Sequence, residues 1–342
     1  MKCVMIDDVK KFKVGNIDEP TAKHGRVLID VLESGICGSD IHYWVSGEPM
    51  GLVMGHEFSG KVVDNGGRSD LKVGDRVTAL PISPCDECSA CLSGNHQYCA
   101  KTWNEALGLS LSNPGALSPR ISVRSDMVVK LPDTVSDIEG SLVEPTAVSL
   151  HAVHLADIKV GDKVLVIGGG IIGLLCAMFA KMEGASYVAI SEVNKKRGNK
   201  AIDLEVADEF FDAKDTELVN KTNCITGGGF DIVIDCCGNS PAVSTAIMAV
   251  KPGGMVILVG VSLGTVTIPS VVAVMRELTI KGSIAYTKED FQACIDLIAN
   301  KRIDVLKFVD DVVGYKDVQK AYERLTSGND AAVKIIVDPS KE

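Results

Sequence analysis

The sequence lacks an excess of positive charge, and no basic patch stands out along it. Its 35 Lys and Arg residues are outnumbered by 45 Asp and Glu residues, and the net charge of −10 is spread along the chain. Proteins that bind nucleic acid or anionic membranes carry clustered Lys and Arg, because these side chains contact phosphate groups. We therefore expect neither nucleic acid nor a membrane as a partner.

The sequence also lacks long apolar segments, and its number of cysteines is not even. The longest uncharged stretch, 164–180, is interrupted by four glycines, so a strand, a turn and a helix explain it better than a membrane span. The N-terminus reaches Asp7 and Asp8 before an apolar core could form, so we expect no secretory signal. The 11 cysteines are odd in number, which favours reduced thiols and metal ligands over a disulfide framework. These features predict a cytoplasmic protein.

The chain divides into two regions of different character. Its 342 residues suffice for two domains of ~150 residues each. Short β-rich segments separated by turns fill the first region, whereas later apolar segments predict strands at 163–167, 187–190, 231–235 and 255–259 with helices between them. Such alternation is typical of a parallel sheet with crossover helices. We predict an α/β protein with a boundary near residue 150.

Four cysteines follow one another closely: Cys85, Cys88, Cys91 and Cys99. Thiolates so close in sequence can converge on one tetrahedral centre, and a closed set of four is typical of structural zinc. An iron–sulfur cluster is a weaker alternative, because the bacterial ferredoxin run has a shorter last gap and a following proline. Four buried core thiols are the other alternative, but the surrounding segment is polar.

A second group of possible ligands is dispersed along the chain: Cys37, His56, Glu57 and Glu144. A thiolate, an imidazole and carboxylates can hold zinc and still leave a coordination position for water or substrate. Each residue alone has an ordinary explanation, since a single cysteine after a strand is usually a core residue. Spacing alone leaves both interpretations open.

A glycine-rich turn, Gly168, Gly170 and Gly173, lies between a predicted strand and a predicted helix. This G-x-G-x-x-G pattern allows a tight turn and close approach of a pyrophosphate to the helix N-terminus. Glu192 ends the next predicted strand, where an acidic residue binds the adenosine ribose hydroxyls. A carboxylate there favours NAD over NADP, although the basic run 195–197 follows directly and could weaken the preference.

Taken together, these motifs resemble the zinc-containing medium-chain dehydrogenases, in the branch of sorbitol (polyol), threonine and butanediol dehydrogenases. The resemblance runs along the whole chain in order. It implies a GroES-like β catalytic domain over 1–150 with a structural zinc lobe at 85–99, and a Rossmann domain over 151–285 that binds NAD. It further implies a C-terminal segment, 286–342, that returns to the catalytic domain, two zinc ions per chain, and a homo-oligomer, either a tetramer or a dimer.

The resemblance also implies roles for individual residues. Cys37, His56, Glu57 and Glu144 match the catalytic zinc site, and Ser39 and His42 match a proton relay from the alcohol to solvent. Further cofactor contacts are implied at Ile172, Glu192, Arg197, Val259, Gly260, Val261, Ser283, Ile284 and Ala285.

The sequence departs from the family where the substrate binds. Ala285 stands where polyol enzymes have a substrate-contacting arginine, and Arg120 stands where the family usually has tyrosine. If Arg120 faces the pocket, it could hold a carboxylate or phosphate of the substrate. If it is a solvated strand residue, a neutral polyol or diol is favoured, oriented by Tyr43, Trp44 and Tyr286.

We expect an NAD-linked, zinc-dependent oxidation of a secondary alcohol, on a polyol or vicinal diol, to a ketone. One alternative is a threonine, hydroxy-acid or sugar-phosphate dehydrogenase of the same family. An alternative of another class is a non-catalytic NAD-binding scaffold, which predicts loss of the metal ligands; Cys37, His56 and Glu144 are all present.

Overall fold

The computed structural model describes residues 1–262 and 264–341. The strands are β1 (Lys2–Asp8), β2 (Lys11–Asn16), β3 (Arg26–Gly35), β4 (Glu57–Asp64), β5 (Arg76–Ala79), β6 (Arg120–Arg124), β7 (Val128–Lys130), β8 (Lys163–Ile167), β9 (Tyr187–Glu192), β10 (Glu209–Asp212), β11 (Phe230–Asp235), β12 (Val250–Leu258), β13 (Thr279–Gly282), β14 (Asp311–Val313) and β15 (Ile335–Val337). The helices are α1 (Gly38–Ser46), α2 (Ser89–Leu92), α3 (Asp137–Ser141), α4 (Val143–Ala156), α5 (Ile171–Met182), α6 (Lys195–Asp203), α7 (Leu218–Thr226), α8 (Ser240–Ala249), α9 (Ser270–Met275), α10 (Lys288–Ala299) and α11 (Val318–Thr326).

The first of two compact units comprises 1–147, 286–327 and 334–341. Its main sheet has the order β14-β15-β3-β4-β5-β7, and β6 also pairs with β3. Strand β3 is the hub, because β4, β6 and β15 all pair antiparallel with it. Val27, Ile29 and Val31 are buried at every second position of β3, as expected for one face of a strand, and Leu28 on the other face is buried as well.

The second unit comprises 148–285 and 328–333. Its strands are all parallel and lie in the order β10-β9-β8-β11-β12-β13. In chain order within the unit this is 3-2-1-4-5-6, the doubly wound Rossmann arrangement, whose ligand site lies at the carboxyl ends of the strands where the order reverses. The central strand β8 is buried over 164–167 because helices cover both faces of such a sheet. The α/β prediction is confirmed.

The C-terminal segment departs from the predicted division at one place. Residues 328–333 belong to the second unit rather than to the first. The start of α6 explains this, since the Asn194 amide donates to the Asp330 carbonyl and Lys196 Nζ donates to the Asn329 carbonyl, both at 2.8 Å. Among the described residues, no helix combines the length and apolar character needed to cross a membrane.

Candidate functional site

The turn between β3 and α1 places Cys37 beside the start of β4. Strands β3 and β4 pair antiparallel with Gly35 opposite Glu57, so the register brings the Cys37 turn next to His56 and Glu57. One ligand atom from each of Cys37, His56 and Glu57 lies within 4.8 Å of the other two. A convergent sulfur, nitrogen and oxygen are the donor types of a zinc site with an open position.

The two ring nitrogens of His56 have different neighbours. Nε2 lies 3.5 Å from the Ser39 hydroxyl, which also donates to Cys37 Sγ at 3.2 Å. Nδ1 lies 3.4 Å from Asp40 Oδ1. Burial lowers the pKa of His56, but the negative charges of Asp40 and Cys37 outweigh it and raise that pKa well above its ordinary value. A carboxylate behind a histidine commonly orients a metal ligand, and Asp40 is a site residue that the sequence interpretation missed.

The polar atoms of this cluster fit a bound cation. Glu57 Oε1 is buried without a hydrogen bond. Burial raises the pKa of the Cys37 thiol, so the thiolate lacks sufficient stabilisation from the protein alone. A metal ion supplies that stabilisation, because it binds the deprotonated sulfur and the free carboxylate oxygen. The residues present therefore fit zinc.

Lys334 is a second residue that the sequence interpretation missed. Its Nζ forms an ion pair with Glu57 Oε2, and both side chains are fully buried. In the sequence, Lys334 is a lysine just before an apolar strand. That position does not distinguish a buried lysine from a surface lysine.

Glu144 lies on α4 and is not one of the three convergent ligands. Its Oε1 accepts a hydrogen bond from the Tyr286 hydroxyl at 2.9 Å. Burial raises the pKa of Glu144 to about 7, while the charges of His56 and Glu57 act on it in opposite directions. Glu144 therefore interacts electrostatically with the charged groups of the cluster. Its carboxylate is held in place by the hydrogen bond from Tyr286.

The aromatic residues predicted to orient substrate differ in exposure. Trp44 is 3% exposed, and its ring centroid lies 5.8 Å from that of Tyr322. Tyr286 is 2% exposed and packs on Phe291, so its hydroxyl is engaged by Glu144 rather than free for substrate. Tyr43 is half-buried on α1. The surroundings of Trp44 and Tyr286 are those of core residues.

On the same helix, His42 is exposed and Ser39 is half-buried. Ser39 contacts the cluster through Cys37 and His56. This placement matches a relay with one end at the cluster and the other at solvent.

Arg120 already has two carboxylate neighbours, an arrangement that favours the second of the two expectations for it. It lies on β6 opposite Asp30 of β3, and its Nε donates to Asp30 Oδ1 at 2.6 Å. Nη1 lies 3.7 Å from Glu19 Oε2. Two carboxylates thus neutralise this guanidinium, and it lines a 460 Å³ pocket that contains none of Cys37, His56 and Glu57.

The four-cysteine lobe forms a compact set of sulfur atoms. Cys85 and Cys91 lie 3.9 Å apart, Cys88 and Cys91 3.5 Å, and Cys85 and Cys99 3.6 Å. A tetrahedral zinc with Zn–S bonds of about 2.3 Å requires edges of roughly 3.8 Å. Backbone N–H groups of Cys85 and Lys101 point at Cys99 Sγ, and these bonds, led by that from Cys85, lower the pKa of Cys99 to about 6. The lobe is therefore preorganised for a metal-bound thiolate.

The glycine turn lies at the carboxyl end of β8, beside the reversal of strand order. Gly168 has φ +106°, in the region that favours glycine, and a Cβ at Gly173 would overlap the Gly168 carbonyl oxygen. At the end of β9, the Glu192 carboxylate accepts N–H bonds from Gly169 at 2.6 Å and from Asn194 at 2.8 Å. Close approach of α5 to β8 and the acid at the end of β9 match a dinucleotide site.

The other predicted cofactor residues occupy neighbouring loops of the same unit. Those at 259–261 follow β12, those at 283–285 follow β13, Ile172 is the second residue of α5, and Arg197 lies half-buried on α6. The carboxyl ends of parallel strands share one edge of the sheet, so these positions lie along the same edge as the glycine turn. Cys237, which the sequence interpretation missed, lies against Gly168 and donates to the Ile167 carbonyl at 3.5 Å.

Known proteins resemble the chain over both units. Residues 23–133 match the alcohol dehydrogenase GroES-like domain, and residues 172–300 match the zinc-binding dehydrogenase family. D-xylulose reductase A of Aspergillus niger is 34% identical over 331 residues, which cover 93% of this chain and 91% of that protein. The prediction of a GroES-like domain is confirmed.

Solved structures give the same picture. 2R,3R-butanediol dehydrogenase of Bacillus subtilis has 30% sequence identity and a TM-score of 0.87, with 99% of each chain covered. Galactitol-1-phosphate dehydrogenase of Escherichia coli has 25% identity and a TM-score of 0.88, with 99% of this chain and 100% of that chain covered.

Proposed function

Because this chain belongs to the zinc-containing medium-chain dehydrogenases, we propose that it oxidises a secondary alcohol of a neutral polyol or vicinal diol to a ketone, with NAD as hydride acceptor. The observation that carries this proposal is the convergence of Cys37, His56 and Glu57 within 4.8 Å. The names of the similar proteins, a xylulose reductase and a butanediol dehydrogenase, support the substrate class.

Zinc supplies a Lewis acid that lowers the pKa of an alcohol, and NAD supplies the hydride acceptor. Cys37, His56 and Glu57 would hold the zinc, and Asp40 would orient His56 through Nδ1. Glu144, held by Tyr286, would serve as the further carboxylate of this site. Cys85, Cys88, Cys91 and Cys99 would hold a second, structural zinc.

Proton transfer falls to Ser39 and His42. The Ser39 hydroxyl stands at the cluster, so it can accept the proton of an alcohol bound there. The exposed imidazole of His42 can then pass the proton to solvent. Such a relay would allow a buried site to lose a proton at each turnover.

Glu192 supports NAD over NADP. Its carboxylate is held at the end of β9 by two backbone N–H groups, and a carboxylate there would repel a 2′-phosphate. The nearby lysines are occupied elsewhere, since Lys195 pairs with Asp212 at 3.3 Å and Lys196 binds the Asn329 carbonyl.

The neutral substrate is favoured by the surroundings of Arg120, which Asp30 and Glu19 already neutralise. A panel of polyols, diols, hydroxy acids and threonine, followed by NADH absorbance, tests this. We expect turnover of polyols or diols, and an equal effect of Arg120→Met on neutral and acidic substrates. A selective loss for the acids would favour the hydroxy-acid alternative.

We further propose a homo-oligomer and a cytoplasmic location. Strand β13 lies at the edge of its sheet, and on neighbouring α9 the side chains of Val271, Val274 and Met275 are 65%, 75% and 81% exposed. Exposed apolar side chains beside an open strand edge are costly in water, and a second copy of the chain would cover them. The cytoplasmic location rests on the use of cysteines as metal ligands rather than in disulfides.

A further inference from the structure

Lys334 is a fully buried cation that neither the dinucleotide chemistry nor the proton relay uses. It immediately precedes β15, and its side chain has no exposed surface. Nζ pairs with Glu57 Oε2 and donates to the Ile36 carbonyl at 3.0 Å. A buried lysine is unfavourable unless it is paired and hydrogen-bonded, and both conditions are met here.

The two partners of Lys334 are sequence neighbours of the two strongest metal-ligand candidates. Ile36 precedes Cys37 at the end of β3, and Glu57 follows His56 at the start of β4. One ammonium group thus fixes the two backbone segments that carry the sulfur and nitrogen ligands. Because it engages Glu57 Oε2, it leaves Oε1 as the carboxylate oxygen without a hydrogen bond.

The space around this ion pair is closed by Gly35. A Cβ at Gly35 would overlap Glu57 Oε2 and would lie 3.0 Å from Lys334 Cε and Nζ. Strand β15 pairs with the same end of β3, with Ile336 opposite Gly35, and the Ile36 N–H donates to the Ile335 carbonyl at 3.1 Å. The pairing of β15 with β3 therefore places Lys334 in a space that leaves no room for a side chain at position 35.

We propose that Lys334 is a positioning residue for the metal that the proposed function requires. It holds the Cys37 and His56 segments in register and turns Glu57 so that Oε1 is available as a ligand. Its positive charge balances the carboxylate and thiolate charges that metal binding concentrates in a buried site. Retention of this metal consequently depends on the docking of a strand about 280 residues further along the chain.

The test compares zinc content and zinc release in the full chain and in Lys334→Met. Native protein and variant are purified in parallel, zinc is counted by elemental analysis, and its release to a chromophoric chelator is followed over time. We expect the native protein to hold two zinc ions, and the variant to keep the zinc of the four-cysteine lobe but release the other at least tenfold faster. Release at the native rate, or slower, would overturn the proposal.

Matched variants separate positioning from a general loss of stability. Lys301→Met removes another lysine–glutamate pair, between Lys301 and Glu139 at 2.8 Å, whose lysine is exposed, and should leave zinc release unchanged. If Lys334→Met does not fold, Gly35→Ala displaces the ion pair without removing a charge, and we expect the same selective release. A folded Gly35→Ala variant with native zinc release would contradict the proposal.

Failure of the proposed function would be recognised separately. If the proposed function is wrong, the native protein itself would bind only the zinc of the four-cysteine lobe, or no zinc. The proposal about Lys334 is decided by the difference between variant and native protein, and that difference is measured by metal release rather than by turnover.

Discussion

At the scale of single residues, the proposed preference for NAD over NADP rests on the Glu192 carboxylate. We expect Glu192→Gln to raise the KM for NAD and to narrow the preference over NADP, because the neutral amide no longer repels a phosphate and binds the ribose hydroxyls less strongly. A hydrogen bond to a charged group contributes about 1.5–3 kcal/mol, so kcat/KM for NAD should fall roughly tenfold or more. Steady-state kinetics with both dinucleotides check this.

The matched control is Lys195→Ala, since Lys195 is exposed and paired with Asp212. This substitution should change neither the KM for NAD nor the KM for NADP by more than about twofold. A native protein that prefers NADP would contradict the role assigned to Glu192.

Tyr286 offers a second test at the residue scale. Its ring is packed in the core, and its hydroxyl donates to Glu144 at 2.9 Å. Tyr286→Phe keeps the ring and leaves a buried carboxylate without its donor, at a cost of about 1–3 kcal/mol. We expect kcat to fall while the KM for the alcohol stays close to native. A raised KM with unchanged kcat would show instead that the hydroxyl binds substrate.

Some single residues could be assigned from the sequence and others could not. Cys37, His56 and Glu57 were named because their types suit a metal, and strand register brings them together. Lys334 could not be found, because its partner lies 277 positions away and nothing local marks a buried lysine. The sequence also left open whether Arg120 faces the substrate pocket or solvent. Its partner Asp30 is distant in sequence and becomes its neighbour only through the pairing of β6 with β3.

At the scale of structural elements, we propose that a structural metal holds the four-cysteine lobe together. We expect Cys99→Ser to lower the stability of the protein by on the order of 4 kcal/mol, because the binding energy of a structural metal is folding energy. Thermal unfolding together with zinc analysis measures this. Cys224→Ser, at an exposed cysteine on α7, is the control and should leave the unfolding midpoint unchanged. Equal midpoints for Cys99→Ser and native protein would refute a structural metal.

Strand β3 carries a pH-sensitive carboxylate. Burial, and then the charge of Asp338, raise the pKa of Glu33 to about 7. The folded state therefore holds this proton more tightly than the unfolded state, so stability falls as pH rises from the unfolded pKa through 7. We expect Glu33→Gln to be more stable than native protein at pH 8 and equally stable near pH 4.

Urea unfolding at the two pH values measures the difference. The control is Glu183→Gln, at an exposed position. It should change the free energy of unfolding by the same small amount at both pH values. A Glu33→Gln variant that is less stable than native protein at pH 8 would mean that the carboxylate is stabilising in its ionised form.

Elements were predicted best where local pattern and burial agree. The apolar run at 163–167 is β8 with the same bounds, and the runs near 187 and 231 are β9 and β11. The sequence is sufficient to predict these strands, because parallel strands covered on both faces are seen as nearly continuous apolar runs. The assignment of 328–333 could not be predicted, since it depends on hydrogen bonds from Asn194 and Lys196 to backbone carbonyls.

At the scale of the whole molecule, the exposed apolar side chains of α9 predict self-association. We expect light scattering after gel filtration to give a dimer or tetramer, and Val274→Asp with Met275→Asp to shift it toward monomer, because a charge buried at an interface is unfavourable. Leu92→Asp, at an exposed position of the cysteine lobe, is the control. A native protein that is monomeric at micromolar concentration would contradict this surface.

We propose that the Cys37, His56 and Glu57 cluster performs an NAD-linked oxidation of a neutral polyol or diol. The most direct test is NADH formation by native protein and by Cys37→Ser, both supplied with zinc, NAD and the polyol and diol panel. We predict turnover by the native protein with at least one of these alcohols, and a loss of at least a thousandfold in Cys37→Ser with the fold and the lobe zinc retained. Undiminished turnover in Cys37→Ser, or no NADH from any polyol or diol with native protein, would contradict this role of the cluster.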